Sequence, residues 1–275
     1  MLDEEVEAEL PGVELVEQQG AAVAAWSPDG RRIAIPVPGA IGVPAGIGLR
    51  RPGGALLSRF EAPPLRAGWG RPPPIEWMRE GRFLRYITTA GPNRDHRFWL
   101  TVVFPDGSGL EQAPLLGEAQ AKADQAVLSP DGRLALFKLP GRGVSELWVA
   151  NADGTGARKL AQSLFLRSYR FSPDGKQIAY AAGGAHGGLL VVPTAGGTPR
   201  RVVAEMPNEG PTWTADGRWL TYSDFDGKVI RVRPNGSGAQ TVADFDGEDV
   251  RGLVWSPDGH SLLYSERPFP SEYAD

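Results

Sequence analysis

The chain has 275 residues, of which 41% are hydrophobic and 23% are charged, so it is long enough to bury a large core. Its 29 lysines and arginines nearly balance its 33 aspartates and glutamates, and this balance argues against a nucleic acid partner. No run reaches the roughly 18 apolar residues of a transmembrane segment, and the absence of cysteine excludes disulfides and thiolate metal sites.

The predicted elements begin with two short strands, Glu5–Leu10 and Val13–Glu17, joined by a turn at Pro11–Gly12. Both strands precede a sixfold repeat whose last copy ends without its second hairpin. We therefore expect residues 5–18 to close the last blade, with two strands supplied by each end of the chain. This arrangement makes residues 1–275 a single domain.

A five-residue motif recurs six times, with an aromatic residue or Leu first and Gly last. Its copies are Trp26-Ser-Pro-Asp-Gly30, Trp77-Met-Arg-Glu-Gly81, Leu128-Ser-Pro-Asp-Gly132, Phe171-Ser-Pro-Asp-Gly175, Trp213-Thr-Ala-Asp-Gly217 and Trp255-Ser-Pro-Asp-Gly259. The closing glycines are 51, 51, 43, 42 and 42 residues apart, a period typical of propeller blades.

Each copy predicts a tight turn, because proline presets φ near about -65°, aspartate tolerates the next position and glycine supplies a positive φ. An alternating apolar segment follows each turn and predicts a second strand, as in Ile178-Ala-Tyr180. Most copies then carry a second hairpin, such as Leu147–Gly154. The sequence therefore predicts an all-β, six-bladed β-propeller with four antiparallel strands per blade.

The run Phe171-Ser-Pro-Asp-Gly-Lys-Gln-Ile-Ala-Tyr180, followed by a later hairpin, resembles the TolB-type repeat, a relative of the WD-type propeller repeats. The resemblance covers nearly the whole chain, and the second copy departs from it at Met78, Arg79 and Glu80. It implies a periplasmic or extracellular bacterial protein, although the acidic first ten residues predict no signal peptide. Similar propellers dock a lipoprotein in the cell envelope, gate peptidases or act on sugars.

Motifs for catalysis are missing from the sequence, because neither a Gly-x-Ser-x-Gly nucleophile elbow nor a phosphate-binding loop occurs. We therefore expect a protein without enzymatic activity. Of the three histidines, His96 and His186 fall between the second and third strands of blades two and four, on one rim, and His260 falls on the other. Solvated loop histidines are the favoured interpretation, and a metal site shared by the first two is the alternative.

Two Asp-Phe-Asp-Gly sequences, beginning at Asp224 and Asp244, place several carboxylates near blades five and six. They offer oxygen ligands for Ca²⁺ but lack the spacing of a twelve-residue calcium loop, so plain hairpin turns are favoured. No cofactor is predicted.

Residues that enter the first strand of each blade line the channel mouth of a propeller. Here these residues are Gln125, Arg167, Tyr169, Glu209, Asp249 and Arg251. Their mixed polarity suits recognition of a ligand or peptide, and solvation of a water-filled channel is the alternative. Five arginines, Arg79, Arg82, Arg85, Arg94 and Arg97, also cluster in blade two, as either a partner contact or scattered surface residues.

The favoured function is a noncatalytic scaffold, expected to be monomeric, that binds a protein or peptide at one face. The candidate binding residues are those of the channel mouth together with Arg94, His96, His186 and Asp224. Four loops at this face carry the variable sequence, Ile35–Ile47, Thr88–Asp95, Pro140–Ser145 and Ala182–Gly187. The alternative is a carbohydrate-binding or carbohydrate-active propeller that uses the channel-mouth residues.

Overall fold

The computed structural model describes residues 8–17, 24–37, 46–61, 75–78, 81–90, 97–117, 123 and 126–265. These residues form strands and turns without a helix, and no helix among them is long and apolar enough to cross a membrane. The strands assemble into six sheets that follow the six copies of the motif. The predicted all-β six-bladed propeller is confirmed.

Five sheets are four-stranded, antiparallel and ordered as the chain runs, from an innermost first strand to an outermost fourth strand. Blade one contains β2 (Ala25–Trp26), β3 (Ile33–Val37), β4 (Gly46–Arg50) and β5 (Leu56–Glu61). Blade two contains β6 (Ile75–Met78), β7 (Phe83–Ala90), β8 (Arg97–Val103) and β9 (Glu111–Leu115). Blade three contains β10 (Ala126–Leu128), β11 (Leu134–Pro140), β12 (Ser145–Asn151) and β13 (Arg158–Ser163).

Blade four contains β14 (Leu166–Phe171), β15 (Gln177–Ala182), β16 (Gly188–Pro193) and β17 (Arg200–Val203). Blade five contains β18 (Glu209–Trp213), β19 (Leu220–Ser223), β20 (Lys228–Val232) and β21 (Gln240–Asp244). Blade six contains β22 (Arg251–Trp255) and β23 (Ser261–Ser265), and β1 (Glu14–Glu17) joins it.

The N-terminal strand closes the sixth blade, but its pairing differs from the expected two strands from each end. β1 lies parallel to β23, with Glu14 opposite Ser261 and Glu17 opposite Tyr264. The direction follows from connectivity, because β1 must end at the rim where β2 begins, which is also the rim where β23 ends. Of the predicted strand Glu5–Leu10, residues 5–7 lie outside the described residues and residues 8–10 form no strand.

Six separate apolar clusters fill the six interfaces between neighbouring blades. Each blade contributes side chains to the clusters on both of its faces, because side chains i and i+1 of a strand point to opposite faces of the sheet. On β15, Ile178 and Tyr180 pack towards blade three, whereas Ala179 packs towards blade five. The core is therefore a closed ring around a central channel rather than one central mass.

The repeated motif forms the predicted turn at one rim, which we call the turn rim. In blade four the Ser172 hydroxyl donates to Asp174 Oδ1 at 2.6 Å and accepts from the Gln177 backbone N–H at 2.9 Å. Gly175, at a φ of 70°, donates its N–H to the Ser172 carbonyl. The opposite rim, which we call the mouth rim, carries the loops between second and third strands and the connections from one blade to the next.

Candidate functional site

Four of the residues predicted at the channel mouth form one network across blades four, five and six. The guanidinium of Arg251 contacts Asp249 Oδ2 through Nε at 2.9 Å and through Nη2 at 2.8 Å. Its Nη1 lies 4.0 Å from Glu209 Oε2. Arg167, on β14 of blade four, joins this group through a residue that the sequence analysis did not select.

That residue is Asn208, which is buried and immediately precedes β18. Its side-chain Nδ2 donates to Asp249 Oδ1 at 2.8 Å, and its backbone carbonyl accepts from Arg167 Nη1 at 3.0 Å. Asn208 thus bridges the arginine of blade four and the carboxylate of blade six. The signal for it was its position one residue before Glu209, at the entry to an inner strand.

Tyr169 does not line the channel. It is 1% exposed and belongs to the apolar cluster between blades three and four. The neighbouring side chains Ser168 and Arg170 line the channel instead, so alternation turns Tyr169 the other way. Its assignment to the channel mouth is corrected on this ground.

An exposed apolar group lies beside the network, and we call Leu164, Phe165, Arg167 and Phe225 the rim patch. Leu164 and Phe225 are each 61% exposed and Phe165 is 45% exposed. The Arg167 guanidinium lies over the Phe225 ring, 5.6 Å from its centroid, which joins the connection into blade four with the loop of blade five.

Glycine fixes the position of Phe165 within the rim patch. The Gly183 backbone N–H donates to the Phe165 carbonyl at 3.0 Å, and a Cβ at Gly183 would overlap the Phe165 ring. The ring therefore lies directly over glycine backbone, where the loop of blade four leaves room for it.

The remaining predicted site residues are dispersed. Gln125, Arg94 and His96 lie outside the described residues. His186 is exposed in the loop between β15 and β16 and lines a cavity between blades three and four. Asp224 is half-buried in a turn between β19 and β20.

The Asp224 carboxylate is used by its own turn. Its Oδ1 accepts the backbone N–H groups of Asp226 at 3.0 Å and Lys228 at 2.8 Å. The Asp244 carboxylate is used in the same way, because its Oδ1 accepts the backbone N–H of Asp246 at 3.2 Å. Within the part of the chain that the structure describes, no three His, Asp or Glu side chains come together as a metal site.

The arginines of blade two separate into different environments. Arg82 is exposed, whereas Arg85 is 5% exposed and its Nε pairs with Glu76 Oε2 at 2.5 Å. Arg79 and Arg94 lie outside the described residues, and the same holds for the side chain of Arg97. Arg85 is therefore an interior residue and belongs neither to a surface contact nor to scattered surface charge.

The central channel forms a cavity of about 420 Å³ lined by the inner strands. Four tryptophans at the first motif position contribute to its wall, Trp26, Trp77, Trp213 and Trp255. Three of their indole N–H groups donate to the preceding blade: Trp26 to Val254 O, Trp77 to Ala25 O and Trp255 to Thr221 Oγ1. These three tryptophans therefore link each of their blades to the preceding one.

Comparison of the fold with solved structures finds a putative TolB from Agrobacterium tumefaciens, with a TM-score of 0.61 at 15% identity over 90% of each chain. TolB from Acinetobacter baumannii aligns with a TM-score of 0.57 at 14% identity over 89% of this chain and 57% of that chain. A chain of a nidogen/laminin complex aligns with a TM-score of 0.55 at 16% identity, over 91% and 84% of the two chains.

The chain has the TolB-type propeller fold. No protein-family model matches its sequence. The uncharacterized protein Atu1656 of Agrobacterium fabrum is 27% identical over 127 residues, which is 42% of each chain. The chain thus covers less than two thirds of the length of this relative and of the Acinetobacter TolB.

The carbohydrate alternative gains no support from the geometry of this TolB-type propeller. Glu209 and Asp249, the carboxylates described at the mouth, both lie within reach of the Arg251 guanidinium. The exposed aromatic ring beside them, that of Phe225, is covered on one face by the Arg167 guanidinium, so this face is not free to stack against a sugar.

Proposed function

We propose that this propeller is a noncatalytic scaffold whose mouth rim, at blades four to six, binds a segment of a partner protein or peptide. The observation that carries the proposal is the rim patch, in which Leu164 and Phe225 expose most of their surface and Arg167 lies over the Phe225 ring. Exposed apolar groups rimmed by polar residues are typical of protein interaction sites.

The chemistry of the rim patch favours a segment with an apolar anchor and a nearby carboxylate. Arg167 donates to the Asn208 carbonyl and has no carboxylate partner within the described part of the chain. Asp249 is already held by Arg251 and Asn208, so it does not neutralise Arg167. An arginine beside an exposed aromatic ring is the composition of an interface hot spot.

The network behind the rim patch supports the scaffold role, because it holds the loops of three blades in one geometry. Preorganised loops reduce the entropy lost on binding. Asn208 is central to this geometry, since it contacts both Arg167 and Asp249.

The test is a selection of peptides from a random library on the immobilised protein, followed by measurement of dissociation constants in solution. We expect the selected peptides to lose at least about 10-fold in affinity for Phe225→Ser and for Arg167→Ala, because truncation of a hot-spot residue costs about 2 kcal/mol or more. The salt dependence of association should fall in Arg167→Ala alone.

The matched control is Leu110→Ser, because Leu110 is 48% exposed but lies in the second hairpin of blade two, at the turn rim. Its variant should bind the same peptides as tightly as the unmodified protein. Peptides that bind all three variants equally would overturn the proposal, as would a selection that enriches no peptide.

A further inference from the structure

A second cavity, of about 460 Å³, lies between the outer strand of blade three and the face of blade four that packs against blade three. Its volume lies in the range of small-molecule sites. Leu160, Leu190 and Pro199 contribute apolar wall, and Leu164 and His186 lie at its exposed end. The cavity is distinct from the channel and from the Asn208 network.

Tyr180 gives this cavity a specific polar group. It is 3% exposed and lines the cavity, and its hydroxyl forms no hydrogen bond with any described residue. Burial raises the pKa of Tyr180 to about 12, so the hydroxyl keeps its proton at physiological pH. Unlike the Tyr86 hydroxyl, the Tyr180 hydroxyl is not sealed off from open space, so it can donate a hydrogen bond to a ligand in the cavity in place of water.

The rest of the lining excludes a strongly charged ligand. No Asp, Glu, Lys or Arg lines the cavity, so an ionic group placed there would be buried without a counter-charge. The Ser163 hydroxyl is already used, because it donates to the Gly183 carbonyl. Gln162 also lines the cavity, but it is exposed and its Oε1 accepts from Lys159 Nζ. Tyr180 is therefore the buried polar side chain of the lining, and His186 is an exposed one.

Backbone around the cavity also keeps it open. Gly183 and Gly184 form part of its wall, and a Cβ at Gly184 would lie 3.1 Å from Leu164 Cδ1. Gly184 has a φ of 104°, which other residues rarely adopt. Larger side chains are thus disfavoured at this part of the wall.

We propose that this cavity binds a small uncharged molecule with an apolar ring and one hydroxyl or carbonyl group, which forms a hydrogen bond with the Tyr180 hydroxyl. The ring packs against Leu160, Leu190 and Pro199, and the polar group points inward to Tyr180. The cavity shares Leu164 with the rim patch, but neither Arg167 nor Phe225 lines it. Variants at Tyr180 therefore test this proposal, whereas variants at Arg167 and Phe225 test peptide binding.

The test compares p-cresol with p-xylene, two molecules of the same shape that differ by a hydroxyl and a methyl group. Binding to the full chain is followed by methyl resonances of Leu160 and Leu190, which should shift saturably with both. In Tyr180→Phe the ratio of the two dissociation constants should move towards p-xylene by about 2- to 10-fold, the effect of one hydrogen bond.

Tyr222→Phe is the matched control, because Tyr222 occupies the same place on β19 of blade five as Tyr180 on β15 and is also buried. Tyr222 does not line the cavity. Its variant should leave the ratio unchanged. The proposal is overturned if neither leucine responds saturably, or if the ratio in Tyr180→Phe equals that of the unmodified protein.

Discussion

The guanidinium of Arg85 donates from Nη2 to the carbonyl oxygen of Ser129 at 2.9 Å, across the interface between blades two and three. Ser129 belongs to the turn motif of blade three, so the side chain of one blade holds the turn of the next. The Nε of the same guanidinium pairs with Glu76 on β6. This contact occurs at the blade whose own motif lacks the serine or threonine and the aspartate of the other copies.

Arg85→Ala should lower the free energy of unfolding by about 2–4 kcal/mol, because it leaves the Glu76 carboxylate without its partner and removes one of the two hydrogen bonds that the Ser129 carbonyl accepts. The figure is reduced from that of a fully buried pair, since the Glu76 side chain is 33% exposed. Urea denaturation measures the loss. Arg82→Ala is the control, because Arg82 is exposed on the same strand region, and a comparable loss there would contradict the assignment.

Gly188→Ala should destabilise the protein more than Gly196→Ala, although both glycines have positive φ values of 116° and 97°. A Cβ at Gly188 would overlap the carbonyl oxygen of Val203, whereas nothing lies within 4 Å of one at Gly196. The unfavourable φ alone should cost about 1–2 kcal/mol at Gly196. The backbone clash should add roughly 1–3 kcal/mol at Gly188. Equal losses in thermal or urea denaturation would show that β16 and β17 can separate without cost.

The fold could be predicted from the sequence because its signals are local. The turn at Ser172–Gly175 is specified by residues within five positions, and the strand at Gln177–Ala182 by its alternation. Because the unit is repeated six times, the same interpretation applies to every blade. The closure by β1 was also predictable from the sequence. Its parallel direction was not, because it depends on the rim at which β1 must end so that the chain can continue into β2.

The site was less predictable, because it depends on what neighbouring blades present to one another. Arg167 and Asn208 are 41 residues apart, and no local pattern indicates that one donates to the other. Tyr169 was assigned to the mouth by its position near the start of β14. A bulge between Leu166 and Ser168 changes the register there, and the parity of the strand turns Tyr169 into the core.

Tyr86→Phe should leave the free energy of unfolding unchanged or raise it by up to about 1 kcal/mol, because the hydroxyl it removes is buried without a hydrogen-bond partner among the described residues. Burial also raises the pKa of Tyr86, as expected of a phenol that nothing solvates. Thr221→Val is the contrasting change, since it removes the acceptor of the buried Trp255 indole N–H. That variant should lose about 1–3 kcal/mol in urea denaturation. A loss in Tyr86→Phe similar to that in Thr221→Val would mean that the Tyr86 hydroxyl has a partner.

The aspartates of the turn motif should make the free energy of unfolding depend on pH at values below the usual pKa of an aspartate carboxyl group. The Ser172 hydroxyl and then the Lys176 backbone N–H lower the pKa of Asp174 from its usual 3.8. A carboxyl whose pKa is lower in the folded protein contributes stability that is fully present above the unfolded pKa and is lost as pH falls through the folded pKa. The contribution should be less than about 1 kcal/mol, because the turn is exposed.

Asp174→Asn tests this pH dependence. The unmodified protein should exceed the variant in free energy of unfolding at neutral pH, and the difference should shrink as urea denaturation is repeated at pH values below about 4. In a Ser172→Ala background the shrinkage should be smaller, because the main donor that lowers the pKa of Asp174 is gone. A difference that stays constant from neutral to acid pH would show that Asp174 stabilises the turn through its shape rather than its charge.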